Sequence, residues 1–206
     1  PHATSLWAGF LEHVVKQLNK AERYFLFDFC DPSKKTAGQI REVLELVSIF
    51  SAYGKTVLGL NENESTKLWL ALEGQALSAS TAIPPLQEVG TFIFNAMNIN
   101  TLLIHPTDRT IAIKKEGTYE MEGHVIKKPT LLTGAGDNLN AGFCAGLLLG
   151  LSTPLCMLLG MASSGAYVKN GYSASAENLI HYIEMWKQTL EQSDDASKVS
   201  MITRYT

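Results

Sequence analysis

The run Tyr24-Phe25-Leu26-Phe27-Asp28-Phe29 and the two segments after it determine the architecture that the sequence predicts. This apolar run is too short for a good helix and ends at Asp31-Pro32, which is typical of a strand buried on both faces. Residues 36–50 then show the three-and-four spacing of an amphipathic helix, and residues 56–60 form a second short apolar run. A strand, a helix and a strand in this order predict a right-handed crossover between parallel strands.

The same alternation continues on both sides of this unit. Before it, apolar residues over 7–18 predict a helix with Ser5 as its N-cap. After it, a third strand is predicted at 101–105, and two alternating segments around Glu116-Gly117 predict an antiparallel hairpin. Further helices are predicted at residues 64–72, 86–97, 137–149, 154–169 and 176–190. The pattern indicates an α/β fold of three layers, in which a mostly parallel sheet carries helices on both faces and the hairpin lies at an edge.

The composition is that of a globular chain. Its 206 residues are 46% hydrophobic and carry a net charge of −3, which favours a single α/β domain over residues 1–206. Because basic residues do not outnumber acidic ones, a nucleic-acid-binding function that depends on neutralising phosphates is disfavoured. The apolar stretches are shorter than the ~20 residues that cross a bilayer, and the opening residues do not resemble a secretory leader. Cys30, Cys144 and Cys156 fit neither a disulfide framework nor a zinc site, so we expect a cytoplasmic protein that binds neither membrane nor nucleic acid.

The segment Thr133-Gly134-Ala135-Gly136-Asp137-Asn138 carries the strongest chemical signal. Its small residues let the backbone approach a ligand, and the free N–H groups and dipole of the following helix favour an anion. Asp137 then has two interpretations: a helix acid that stabilises by about 0.3–1 kcal/mol, or a general base beside a phosphate cradle. A dinucleotide loop is disfavoured, because position 139 is Leu where G-x-G-x-x-G requires glycine. Gly54-Lys55-Thr56 matches the end of a P-loop by chance, since position 49 is Ile and a strand follows.

Two motifs in order resemble one known family. Gly134-Ala135-Gly136-Asp137, followed by Asn140-Ala141-Gly142-Phe143, is similar to the second signature of the PfkB-type carbohydrate kinases, the ribokinase-like family. Asn61-Glu62-Asn63-Glu64, at the end of a predicted strand, resembles the N-x-x-E element of that family. The segment Phe27-Asp28-Phe29-Cys30-Asp31-Pro32 resembles its acidic, proline-containing loop. Together these motifs are much more specific than any one of them alone.

The resemblance runs from about Trp7 to Trp186 and corresponds to the C-terminal portion of a family member. It implies that residues 1–206 form the nucleotide-binding and catalytic portion of a longer sugar kinase, with the N-terminal substrate and lid part absent. The implied reaction transfers the γ-phosphate of ATP, with Mg²⁺, to a hydroxyl of a small sugar or nucleoside. The resemblance also implies a homodimer for the full-length protein, and weak or no sugar kinase activity for these 206 residues alone.

Roles for single residues follow from the same resemblance. Asp137 would be the general base that activates the acceptor hydroxyl, and the backbone of Gly134, Ala135 and Gly136 would form an anion hole for the transferring phosphoryl group. A further pair, Asn61 and Glu64, would position magnesium and the nucleotide phosphates, largely through water. The alternative for that pair is a solvated helix start with capping.

Further residues match positions around the adenine and a monovalent cation. Asn170-Gly171 matches a turn beside both, with a plain helix C-cap as the alternative. Thr133 and Ser175 match positions around the cation site of the family. Leu131 stands where the family has an Asp that helps to hold this cation, which argues against potassium activation.

The departures from the family pattern support a second hypothesis. Leu131 is one departure, and Pro106-Thr107-Asp108-Arg109, in place of a glycine-containing turn after His105, is another. Both suit a catalytically degenerate or truncated module that binds a nucleotide without transferring phosphate. The sequence therefore predicts a carbohydrate kinase and leaves a nucleotide-binding module as the alternative.

Overall fold

The computed structural model describes residues 2–19, 22–29, 31–32, 35–74 and 82–191, so Cys30 lies outside the described residues. The chain forms, in order, the following elements: α1 (His2–His13), a short 3-10 helix (Val15–Gln17), β1 (Tyr24–Asp28), α2 (Ala37–Phe50), β2 (Lys55–Leu60), α3 (Glu62–Glu73), α4 (Leu86–Ala96), β3 (Thr101–Ile104), β4 (Arg109–Lys114), β5 (Gly117–Glu122), α5 (Ala135–Leu148), α6 (Thr153–Asn170) and α7 (Ala176–Glu191). None of the helices within the described ranges is long and apolar enough to cross a bilayer.

The five strands form one sheet in the order β1-β2-β3-β4-β5. β1 and β2 are parallel, with Phe27 opposite Leu58, and β3 continues in parallel, with Leu102 on the other side of Leu58. β4 then runs antiparallel to β3, and β5 completes the sheet next to β4. The predicted α/β class, the mostly parallel sheet and the antiparallel edge are therefore confirmed.

The chain divides into two compact units. The first unit comprises Pro1–Ile104 and Ile111–Thr118, and the second comprises His105–Thr110 and Tyr119–Thr206. Helices α1 to α4 and strands β1 to β3 belong to the first unit, and helices α5 to α7 belong to the second. The N-x-x-E motif and the glycine-rich loop are therefore in different units.

Phe50, the last residue of α2, is the centre of an aromatic cluster in the first unit. Its fully buried ring meets Phe25 and Phe27 of β1 at centroid distances of 5.1 and 5.0 Å, and Trp7 of α1 at 6.3 Å. All three contacts are edge-to-face, a geometry that is worth about 0.5–1.5 kcal/mol per pair beyond the buried area. The cluster holds α1 and α2 against β1, and so supports the carboxyl end of that strand.

Helices α5 and α6 of the second unit approach each other closely at two glycines. A Cβ at Gly142 would lie 2.5 Å from the Leu159 carbonyl oxygen, and one at Gly160 would lie 2.8 Å from the Leu139 carbonyl oxygen. Backbone therefore packs on backbone, and a side chain at either position would force the helices apart. Because α7 also packs on α6, the first turn of α5 has a firm support.

Two local expectations were wrong. Ser5 does not cap α1, because the helix begins at His2 and no Gly or Pro between these positions prevents an earlier start. Strand β1 is not buried on both faces, since Phe27 is its one buried residue. β1 lies at the end of the strand order and has a single neighbour, whereas all four residues of the central strand β3 are buried.

Candidate active site

The glycine-rich loop turns sharply into α5 at Gly134. This residue has φ +93° and ψ 0°, a left-handed conformation that favours glycine, and its carbonyl accepts from the Asn138 N–H at 3.1 Å. The Ala135 N–H donates to the Leu132 carbonyl at 3.1 Å, so this amide is used within the loop. In the first turn of a helix the N–H groups have no intrahelical acceptor, and here the next two belong to Gly136 and Asp137. The loop thus presents these two amides, with the positive end of the helix dipole, to an anion.

Asp137 is the one acidic residue in the first turn of α5, and its side chain is exposed. Its carboxylate can therefore be approached by a hydroxyl from solvent while the amides of the same turn hold an anion. This arrangement places a proton acceptor and anion-binding donors within one helical turn. A helix acid that only balances the dipole would occupy the same position, so the geometry agrees with both interpretations of Asp137.

His105, directly after β3, packs against the glycine-rich loop. A Cβ at Gly136 would lie 3.0 Å from His105 Cε1, with both ring nitrogens within 3.8 Å. The imidazole therefore lies on the backbone that carries the Gly136 and Asp137 amides. Both residues belong to the second unit.

Tyr167 of α6 contacts the same loop from another direction. Its hydroxyl donates to the Thr133 carbonyl at 2.7 Å, and a Cβ at Gly134 would lie 2.8 Å from the same hydroxyl oxygen. Just upstream, the Thr130 and Leu131 N–H groups donate to the Val168 carbonyl at 2.8 and 3.3 Å. The segment that leads into the loop is thus bound to the last turn of α6.

Ser175 and Gly171, which match the cation and adenine region, serve as helix caps. Ser175 caps α7, because its hydroxyl oxygen accepts from the Asn178 N–H at 3.2 Å and its carbonyl accepts from the Leu179 N–H at 2.9 Å. Gly171 is the left-handed C-cap of α6, with φ +82°, directly after the exposed Asn170. The structure therefore shows the C-cap geometry that was the alternative for Asn170-Gly171.

The N-x-x-E motif of the first unit starts α3. Asn61 is the N-cap: its Oδ1 accepts from the Glu64 N–H at 2.9 Å, and Glu64 Oε2 accepts from the Asn61 N–H at 2.8 Å. This reciprocal capping box confirms that the pair satisfies the helix terminus. The capping box uses Oε2 of Glu64, a residue that is only 8% exposed. Glu64 lies just after the carboxyl end of β2, and sites in parallel sheets lie at such strand ends.

Glu64 is also in an acidic environment. Burial raises its pKa above the usual value, and the nearby carboxylates of Asp28 and Asp31 raise it further, while the hydrogen bonds with Asn61 act in the opposite direction. Asp31 forms an ion pair with Lys67 at 2.8 Å, one turn after Glu64 on α3. The carboxyl ends of β1 and β2 thus bring together carboxylate oxygens, which are the ligands that Mg²⁺ prefers.

A cavity of about 500 Å³ lies on the β1 side of the first unit. Apolar residues from α1, β1 and α2 form most of its wall, and Asp28, Asp31 and Lys35 lie at the end of β1. Thr4, Gln39 and Glu42 also line it, so six of the fifteen lining residues are polar or charged. Many ligand pockets combine an apolar wall with a few polar groups, so this composition does not by itself identify the acceptor site.

Two residues of this region, His105 and Tyr167, were missed as functional candidates by the sequence analysis. In the sequence, His105 was only the last residue of the third predicted strand, and Tyr167 was one position of the helix predicted at residues 154–169. The one available signal was that His105 follows a strand directly, at the edge where sites lie in parallel sheets. No spacing in the sequence connects either residue to the glycine-rich loop.

Comparison with solved structures identifies the fold. Ribokinase from Thermotoga maritima matches 84% of the chain with a TM-score of 0.62 and 15% sequence identity. Adenosine kinase from Anopheles gambiae matches 84% of the chain with a TM-score of 0.60 and 18% sequence identity. Phosphofructokinase-2 from Escherichia coli matches 85% of the chain with a TM-score of 0.59 and 15% sequence identity. The chain covers 52%, 49% and 60% of these three proteins, so it spans roughly half of their length. No curated protein sequence matches the chain.

The family assignment comes from the sequence as a whole. A model of the prokaryotic ketohexokinase family matches residues 1–186, which include both the N-x-x-E motif and the glycine-rich loop. This family match and the structural similarity to solved kinases together confirm the resemblance to ribokinase-like sugar kinases that the two motifs predicted. The chain belongs to the prokaryotic ketohexokinase family.

Proposed function

We propose that this chain is the nucleotide-binding and catalytic part of a kinase that transfers the γ-phosphate of ATP to a sugar hydroxyl. The observation that carries the proposal is the first turn of α5, where the Gly136 and Asp137 amides and the exposed Asp137 carboxylate occur together after the left-handed Gly134. The family match makes a ketohexose the first acceptor to test, and the fold likeness to adenosine kinases makes a nucleoside the second. A cytoplasmic location and a homodimer of the full-length protein belong to the same proposal.

In this reaction Asp137 accepts the proton of the acceptor hydroxyl. The hydroxyl oxygen then forms a bond to the γ-phosphorus while the bond to the β-phosphate oxygen breaks, and ADP leaves with that electron pair. Negative charge on the transferring group is met by the Gly136 and Asp137 amides and by the dipole of α5. Such preorganised donors contribute several kcal/mol, since removing a single one typically costs ~10²–10³-fold in turnover.

The carboxylates of the first unit fit Mg²⁺ chemically. Glu64, Asp28 and Asp31 carry the hard oxygen atoms that this ion prefers, and the capping box holds the Glu64 carboxylate in place. Among the described residues, no group of three potential ligands is close enough to form a metal site. Asn61 and Glu64 would therefore hold the ion largely through water, and the bound ion would neutralise charge on the phosphates.

The test is turnover of ATP with a panel of ketohexoses, aldohexoses and nucleosides by the full-length protein. Asp137→Asn should lower kcat by ~10²–10⁴-fold, because it removes the base and leaves the fold intact. Glu177→Gln is the matched control, since Glu177 is the first-turn acid of α7 in the same unit and is also exposed. Equal turnover by wild type and Asp137→Asn would exclude the role given to Asp137.

The nucleotide-binding module stays the second candidate, because the structure satisfies Asn61 and Glu64 within the chain through the capping box. Calorimetry with MgATP separates the two. Binding of MgATP by the full-length protein without turnover of any acceptor would favour the module. Absence of binding would count against both functions.

A further inference from the structure

Tyr167 makes a paired contact with the entrance of the glycine-rich loop. Its hydroxyl donates to the Thr133 carbonyl at 2.7 Å, and its ring lies over Gly134 so closely that a Cβ there would be 2.8 Å from Oη and 3.2 Å from Cζ. One side chain therefore fixes a carbonyl and covers the next α-carbon. It comes from the last turn of α6, 34 residues further along the chain.

The peptide group that Tyr167 holds controls the direction of the loop. The Thr133 carbonyl belongs to the same rigid peptide plane as the Gly134 N–H, so fixing its oxygen fixes the orientation of that plane. Gly134 then turns the chain into α5 with φ +93°. A rotation of this plane would redirect the Gly136 and Asp137 amides that follow.

Other hydrogen bonds hold the segment on either side of this peptide. Upstream, the Thr130 and Leu131 N–H groups donate to the Val168 carbonyl, and downstream the Ala135 N–H closes a turn onto the Leu132 carbonyl. The stretch between them contains glycine, which has many accessible backbone conformations and loses the most entropy on ordering. The Tyr167 hydroxyl contacts this stretch at the point where the backbone is most free to rotate.

We infer that Tyr167 is a positioning residue for phosphoryl transfer, which preorganises the anion-binding conformation of residues 133–137. This inference rests on the proposed function, because it gives Tyr167 a task in that reaction. Tyr167 touches neither acceptor nor nucleotide in this role, and acts through the backbone of Thr133 and Gly134. Donors that are aimed before the reaction begins stabilise the transition state without a reorganisation cost, so their misplacement lowers kcat more than it changes substrate binding.

The test is Tyr167→Phe, which removes the donor and keeps the ring over Gly134. We expect kcat to fall by ~10- to 100-fold with KM for ATP changed by less than about threefold, since a small misplacement of catalytic donors costs that much. Amide hydrogen exchange of the peptide that covers residues 132–137 should become faster. The thermal unfolding midpoint should stay within a few degrees of the wild-type value.

Tyr182→Phe is the matched control. It also deletes a tyrosine hydroxyl of the second unit that makes a hydrogen bond, in this case to His124 Nδ1 at 3.0 Å. Turnover and loop exchange should stay at the wild-type values in this variant. Unchanged kcat in Tyr167→Phe, unchanged loop exchange, an equal loss in Tyr182→Phe, or unfolding of Tyr167→Phe alone would each overturn the inference.

Wild type and Asp137→Asn are assayed in the same series. Inactive wild type, or full activity of Asp137→Asn, shows that the proposed function has failed, and the catalytic task of Tyr167 fails with it. Active wild type and impaired Asp137→Asn beside an unimpaired Tyr167→Phe overturn the inference on Tyr167 alone.

Discussion

The imidazole of His105 lies against the α-carbon of Gly136, so closely that a Cβ at Gly136 would be 3.0 Å from His105 Cε1. Alanine at a helical glycine normally stabilises by about 0.5–1 kcal/mol, because it restricts the unfolded chain. Here the added methyl must displace the imidazole or the loop. The relationship makes Gly136→Ala a sensitive test of the site.

We expect Gly136→Ala to destabilise the protein by about 1–3 kcal/mol, as overpacked positions do, and to lower turnover by shifting the Gly136 and Asp137 amides. The matched control is Gly38→Ala, at the second position of α2 as Gly136 is of α5, where the nearest atom is 3.9 Å away. Urea unfolding measures both variants. His105→Ala should relieve the strain, with a coupling energy of about 0.5–3 kcal/mol between the two positions. If the effects of Gly136→Ala and His105→Ala on the unfolding free energy are additive, the contact between these two residues is contradicted.

Glu64→Gln should change the pH dependence of stability. Burial and the carboxylates of Asp28 and Asp31 raise the pKa of folded Glu64 above 4.5, so the folded state binds this proton more tightly than the unfolded state. Wild type therefore loses stability as the pH rises from the pKa of Glu64 in the unfolded state through its pKa in the folded state. Glu64→Gln does not show this loss, because glutamine does not titrate. Because Gln at N3 keeps the capping box, the variant should gain stability relative to wild type across that window. A difference in unfolding free energy that does not change with pH would contradict this.

The same variant separates capping from nucleotide binding. If Glu64 also holds Mg²⁺ through water, Glu64→Gln should weaken MgATP binding by about 10- to 100-fold, as loss of supporting metal contacts does. Calorimetry on Glu64→Gln and on Glu62→Gln measures this, because Glu62 is an exposed acid in the same first turn. Glu62→Gln should bind MgATP as wild type does. Wild-type affinity in Glu64→Gln would reduce the N-x-x-E motif to a helix cap.

The parts of the fold that could be predicted are those whose signal is local. Apolar runs such as residues 24–29 identified the strands, and two short motifs identified the loops at Asn61 and Gly134. Capping by Asn61 could be predicted as an alternative for the same reason, since the cap and its partner lie within four positions of one another, but the burial of Glu64 differs from the solvated helix start that was expected. Ser5 shows the limit of such signals, because a good capping residue is not used when the helix can start earlier.

The contacts that shape the site could not be predicted. Tyr167 and Thr133 are 34 residues apart, and His105 meets Gly136 from a different element. Such pairs depend on how α6 and His105 pack on the glycine-rich loop within the second unit, and no periodicity of the sequence records that packing. Glycine spacing therefore located the loop but did not reveal which side chains hold it.

Turnover should not depend on a monovalent cation. The Thr133 carbonyl accepts from the Tyr167 hydroxyl, the Ser175 hydroxyl caps α7, and Leu131 offers no ligand where the family has an acid. Initial rates in potassium, sodium and tetramethylammonium chloride at equal ionic strength should agree within about twofold, since screening is then the same. Activation by more than about tenfold in potassium alone would show that these groups do form a cation site. In that event Tyr167→Phe should increase the potassium effect, because it releases the Thr133 carbonyl.

Acidification should destabilise the second unit through His124. This ring stacks on Trp186 at 6.0 Å, and its Nδ1 is 3.0 Å from the Tyr182 hydroxyl. Burial, with a smaller contribution from the positive charge of Lys169, lowers the pKa of folded His124 below 6.5. The unfolded chain therefore binds the proton first as the pH falls, so stability is lost from about pH 6.5 down through the folded pKa.

His124→Phe keeps an aromatic ring over Trp186 and removes the titrating group. Urea unfolding between pH 5 and 7 should therefore show a smaller loss of stability on acidification in this variant than in wild type. At pH 7 the variant should be less stable than wild type by about 1–3 kcal/mol, because the Tyr182 hydroxyl loses its partner in a buried site. His181→Phe, on the same helix as Tyr182 but exposed, is the control and should keep the acid-induced loss. Parallel pH profiles for wild type and His124→Phe would show that another group causes the loss.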